Sequence, residues 1–109
     1  MTQSSYNPIE QEGSPELLLQ EKIRRPKMYQ VLLHNDNYTT MEFVVSILMK
    51  IFRKTMEQAT SIMLSVHRKG IGVAGVYTRE IAETKVNTTH MLAREAGFPL
   101  RCTLQEVDE

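Results

Sequence analysis

His34-Asn35-Asp36-Asn37-Tyr38-Thr39-Thr40-Met41-Glu42-Phe43 is the stretch on which the fold of this chain turns. Before it, Met28-Tyr29-Gln30-Val31-Leu32-Leu33 mixes aromatic, aliphatic and β-branched residues in the manner of a strand. Three short polar side chains, Asn35, Asp36 and Asn37, then interrupt the run. Asn and Asp bond to backbone close by and tolerate unusual dihedrals, so they favour a turn. Thr39 followed three residues later by Glu42 matches a capping box, the signature of a helix start. The stretch predicts a strand passing into a helix through a loop of hydrogen-bonding groups, with apolar Met41 and Val44 just beyond it.

Downstream, Phe43, Val44, Ile47, Leu48, Ile51 and Phe52 form a wide apolar stripe, which predicts a first helix over about residues 40–53. Thr55 with Gln58 matches a second capping box. The helix it opens carries Ala59, Ile62, Met63, Val66 and His67 on one face and ends at Gly70, a residue suited to a C-cap. Residues 71–77 alternate as a strand with one close backbone approach at a glycine. Thr78 is placed to cap a third helix, with Glu80 and Glu83 near its positive end and Gly97 as its stop. Leu100, Cys102 and Leu104 alternate with Arg101, Thr103 and Gln105, a last strand with one buried face. The expected fold is α+β, in the order β-α-α-β-α-β: a three-stranded, mainly antiparallel sheet with three helices packed on one face. The open face must then be polar or docked on something.

Upstream, residues 1–26 differ in character. They hold Pro8, Gly13, Pro15 and Pro26, with one apolar cluster at Leu17-Leu18-Leu19. They read as a mobile tail with a helical tendency over residues 16–24, and residues 27–109 as a single domain. A length of 109 residues suits one core. Thirteen basic residues balance thirteen acidic ones, so nothing favours nucleic acid or an anionic membrane as partner. Cys102 is the only cysteine, which excludes an internal disulfide and a Cys-rich metal site. The first residues lack the pattern of a secretory signal, and the apolar region from Phe43 to Phe52 is too short to span a bilayer. A soluble, cytoplasmic, monomeric protein without a cofactor is expected.

Among groups that could carry chemistry, His67 stands out. One helical step from Met63 and adjacent to Val66, it shares their face. A neutral imidazole offers one donor and one acceptor; the alternative is a histidine bonding the last carbonyls of its own helix. An enzyme would take His67 as base, Asp36 as its orienting carboxylate and Thr39 or Cys102 as nucleophile, but no nucleophile elbow, phosphate loop or ligand set accompanies them. His34, His67 and His90 have no spacing that suits a metal.

Four separated motifs together resemble one family. They are Asn35-Asp36-Asn37-Tyr38-Thr39-Thr40-Met41-Glu42-Phe43-Val44; Met63-Leu64-Ser65-Val66-His67 with Gly70; Gly75-Val76-Tyr77-Thr78-Arg79-Glu80-Ile81-Ala82-Glu83-Thr84-Lys85; and Phe98-Pro99-Leu100-Arg101-Cys102-Thr103-Leu104. In this order and spacing, from Pro26 to Leu104, the chain resembles the ClpS adaptors. The resemblance implies no catalysis. It implies an adaptor that binds proteins bearing a free N-terminal Leu, Phe, Tyr or Trp and delivers them to the ClpA unfoldase of the ClpAP protease. By the same resemblance, Asn35, Asn37 and His67 hold the substrate's α-amino group, and Asp36 and Thr39 shape the rim. Met41, Val44, Met63, Val66 and Leu100 line the hydrophobic pocket, with Met41 as gate, while Glu80 and Lys85 dock on the N-terminal domain of ClpA. The chain departs from the family at Asn37, commonly acidic there, and at Thr40, usually proline. The rival reading is a module that docks on the unfoldase without reading N-termini.

Overall fold

The computed structural model describes residues 26–107; the tail, including the expected helix over residues 16–24, lies outside them. The order is β1 (Met28–His34), α1 (Met41–Lys50), α2 (Met56–Lys69), β2 (Ile71–Thr78), α3 (Arg79–Ala96) and β3 (Arg101–Glu106). β1 is the central strand, antiparallel to both neighbours in the order β2-β1-β3. Its register runs from Met28↔Thr78 to His34↔Ile71 on one side and from Tyr29↔Glu106 to His34↔Arg101 on the other. Between Val31 and Leu32 the partner jumps from Gly75 to Val73, so Ala74 is an extra residue in β2. This bulge rephases the strand, and Ala74 and Gly75 are both buried as a result.

The core lies between sheet and helices. Val31 and Leu33 from β1, Ile47 and Leu48 from α1, and Ala59, Met63 and Val66 from α2 are buried together with Ala82 and Ala93 of α3. Each large aliphatic side chain removed from water contributes roughly 1.5–3 kcal/mol. Alanine at 59, 74, 82 and 93 keeps the layers close, since a larger side chain there would hold the helices off the sheet. At Gly72 the fit is tighter still: a Cβ would sit 2.7 Å from the Val66 side chain. That is the expected close approach.

The caps explain where the helices begin and end. For α2 both bonds of the capping box form, Gln58 N–H to Thr55 Oγ1 at 3.1 Å and Thr55 N–H to Gln58 Oε1 at 3.0 Å. Gly70, at φ 88°, closes the helix in the left-handed conformation that a side chain disfavours. For α1 the sequence expectation is off by one. Thr40, not Thr39, is the N-cap and accepts from Phe43 N–H at 3.1 Å, because the Thr39 hydroxyl is engaged elsewhere. α1 also ends at Lys50 rather than near Arg53; Arg53 adopts φ 59° in the turn to α2.

The open face of the sheet is divided. Towards β3 it is polar, with Gln30 Nε2 donating to Gln105 Oε1 at 2.7 Å and His34 Nε2 lying 2.8 Å from Thr103 Oγ1. Burial, then the neighbouring Arg101, lower the His34 pKa. Towards the β2 edge the face is apolar, with Ile71, Val73 and Val76 exposed. Among the described residues, no helix is long and apolar enough to cross a membrane.

Candidate functional site

Two local devices bring the 35–40 loop against the end of α2. The first is a backbone bond: Asn35 N–H donates to Gly70 O at 3.0 Å, joining the exit of β1 to the left-handed cap of α2. His67 lies one turn before that cap. The second device is Asp36. Its Oδ1 accepts from the N–H groups of Tyr38 (2.8 Å) and Thr39 (2.7 Å), and its Oδ2 accepts from the Thr39 hydroxyl at 2.7 Å. Burial alone would raise the Asp36 pKa, but the bonds from Thr39 and Tyr38 outweigh it and hold the carboxyl below its usual range. Thr39 therefore cannot cap α1, and its box with Glu42 does not form.

The result is a cavity of about 540 Å³ between the loop, the first turn of α1 and the last turns of α2. One half of its lining is polar, from Asn35, Asp36, Asn37, Thr39 and His67. The other half is apolar, from Met41, Val44, Met63 and Val66. Nine sequence-predicted residues thus meet around one hollow. Asp36 and Thr39 satisfy each other. Among the described residues, no side-chain hydrogen bond engages Asn35, Asn37 or His67, and the alternative of His67 bonding the carbonyls of its own helix is not formed.

Three further lining residues, Tyr38, Thr40 and Glu42, were not among the expected site residues. Their position beside the predicted set was the available signal. Leu100, expected on the wall, is buried just before β3 and is not part of the lining. Lys85 differs from the exposed helical residue the sequence suggests: its Nζ donates to Ile51 O at 2.7 Å, just past α1, and lies over the rings of Tyr77 (5.1 Å) and Phe52 (5.8 Å). Glu80 is exposed on the first turn of α3.

Of the residues of the enzyme reading, Asp36, Thr39 and His67 share the cavity, but the Asp36 carboxylate bonds Thr39 rather than orienting His67, and Cys102 is not in the lining. Cys102 is buried, and burial pushes its thiol up to about 11; its backbone N–H donates to His90 Nε2 at 3.0 Å. His34 is on the open sheet face and His67 at the cavity, and among the described residues no cluster of ligands could hold a metal ion. A second concavity, about 590 Å³, runs along the outer face of α2 past Met56, Leu64 and Arg68. It rests on a single helix and lacks polar groups converging from separate elements, so the cavity at the loop is the candidate site.

A family model described as ATP-dependent Clp protease adaptor protein ClpS matches residues 24–103. The ATP-dependent Clp protease adapter protein ClpS of Lawsonia intracellularis is 99% identical over 109 residues, the whole of both chains. The protein of the same name from Nitratidesulfovibrio vulgaris (strain Miyazaki F) is 63% identical over 92 residues, 84% of this chain and 92% of that one. Among solved structures, Agrobacterium tumefaciens ClpS2 bound to L-phenylalaninamide superposes with a TM-score of 0.73 at 43% identity, covering 76% of this chain and 100% of the other. The chain belongs to the ClpS family of Clp protease adaptors, and it is an adaptor rather than an enzyme.

Proposed function

We propose that the cavity receives the first residue of a substrate protein, and that the chain delivers such substrates in the cytoplasm to the ClpA unfoldase. The free α-amino group is held by Asn35, Asn37 and His67. The side chain, Leu, Phe, Tyr or Trp, lies against Met41, Val44, Met63 and Val66, while Asp36 and Thr39 fix the rim. Glu80 faces the unfoldase, and Lys85 shapes that surface from its half-buried bond to Ile51. The observation that carries this reading is the convergence, above an apolar floor, of three polar side chains, Asn35, Asn37 and His67, that bond no other side chain among the described residues. The Agrobacterium relative, named as bound to L-phenylalaninamide, supports it, since that ligand combines a free amine with an aromatic side chain.

Burying the side chain gives roughly 1.5–3 kcal/mol and each hydrogen bond to a charged amine about 1.5–3. The gross gain is then roughly 6–12 kcal/mol, against an association cost of at least ~4. The first residue alone therefore supplies micromolar affinity at best. Selectivity for a free amine is steep, because acetylation removes the charge and leaves polar groups unmatched. Selectivity among apolar side chains is shallow, and two methionines suit a wall that adapts to several shapes.

The test is a titration of a labelled Phe-first peptide against its N-acetylated twin. Binding of the free amine alone is expected. Equal binding of both, or of neither, favours the module that docks on the unfoldase without reading N-termini.

A further inference from the structure

We propose that Met41 is a reversible oxidation site through which a peroxide switches off the cavity. The inference rests on the reading that the cavity takes an apolar first residue. The two methionines of its wall differ in access: Met41 is 43% exposed and Met63 only 9%. A peroxide in solution therefore reaches the Met41 sulfur first. The thioether lone pair attacks one peroxide oxygen, the O–O bond breaks and an S–O bond forms. Sulfur is oxidised to the sulfoxide and hydrogen peroxide is reduced to water.

The product is a strong acceptor on the apolar half of the cavity. Val44, Met63 and Val66 offer no donor on that side, so seating an apolar side chain against the sulfoxide desolvates a polar group without compensation. The one thiol of the chain does not compete for oxidant, since Cys102 is buried. Met56 and Met91 are as accessible as Met41, at 60% and 45% exposed, but neither lines the cavity. They serve as internal controls.

The experiment treats the full chain with hydrogen peroxide, maps sulfoxides by peptide mass spectrometry and titrates a Phe-first peptide. Affinity should fall at least ~10-fold in step with conversion of Met41 and return on treatment with methionine sulfoxide reductase. A Met56→Leu/Met91→Leu double variant should respond as the parent does. Met41→Leu, compared with its own untreated affinity, should lose less than ~2-fold. Saturating peptide should slow sulfoxide formation at Met41 while leaving the rates at Met56 and Met91 unchanged. Complete conversion of Met41 with unchanged affinity, equal loss in Met41→Leu, or no protection by peptide overturns the proposal. If the untreated protein does not bind the peptide, the functional reading falls and this inference with it. If it binds equally before and after oxidation, only this inference falls.

Discussion

The cavity and the junction of α1 with α3 use similar residues to opposite ends. At the junction, the ammonium of Lys85 finds a carbonyl at Ile51 and two aromatic faces at Phe52 and Tyr77, so its charge is matched within the fold. At the cavity, Asp36 is matched in the same way by Tyr38 and Thr39, but among the described residues the side chains of Asn35, Asn37 and His67 beside it are not. A polar side chain that the chain itself satisfies serves the fold. One that a rigid frame holds out unsatisfied is available to a ligand. On the proposed function, the contrast also gives neighbours in sequence separate duties: Asp36 builds the loop, and Asn35 and Asn37 would use it.

Removing Asp36 should have the largest effect. Asp36→Ala deletes three hydrogen bonds at once, and peptide affinity measured by titration should fall at least ~30-fold, about 2 kcal/mol, as the rim loses its shape. Affinity near the parent's would mean that the loop does not depend on its carboxylate. His67→Ala comes next, with a loss of ~10-fold for the free-amine peptide. Docking on the unfoldase should survive it, and lost docking would show that the two faces are wrongly assigned. Asn37→Asp sharpens the comparison in the other direction. Asp36 is already occupied by its own loop, so a new carboxylate at 37 would face the amine unopposed and tighten binding by roughly 3–10-fold. Unchanged affinity would remove Asn37 from the site. Smallest at the cavity is Lys85→Met. It should cost about 1 kcal/mol of stability, read as a drop of several degrees in Tm, and leave peptide affinity unchanged. Lys85→Arg should restore part of the stability.

Acid separates the regions as well. The Asp36 carboxyl is held below its unfolded value, so its contribution is complete above about pH 4 and is lost as pH falls through the lowered folded value. His34 is also depressed. Its neutral form stabilises the fold above about pH 6.5, and that contribution declines as pH falls from there towards its folded value. Thermal melts across pH 3–8 should show the His34 step first and the Asp36 step later, with His34→Gln removing only the first.

Much of this was legible in the sequence because the signals were local. The Thr55–Gln58 box, Gly70 and Gly97 fixed the ends of α2 and α3 with contacts a few residues long. The order of elements followed from periodicity, and the polar half of the cavity from the run at 35–37. What was not legible depended on distant partners. Thr39 and Thr40 are both good caps, and only the geometry of Asp36 decides that Thr40 takes the role. Lys85 resembles any exposed helical lysine until α1 ends beside it, 34 residues earlier in the chain. Leu100 carries the apolar character expected of a wall, yet packing buries it away from the lining.

The most direct measurement is an NMR titration of the ¹⁵N-labelled chain with L-phenylalaninamide, followed residue by residue. The account predicts that the largest shifts fall on Asn35 to Met41 and on Val66 and His67, with little change at Lys85 and along the outer face of α2. Shifts centred on Met56, Leu64 and Arg68, or none at the loop at saturating ligand, would contradict it.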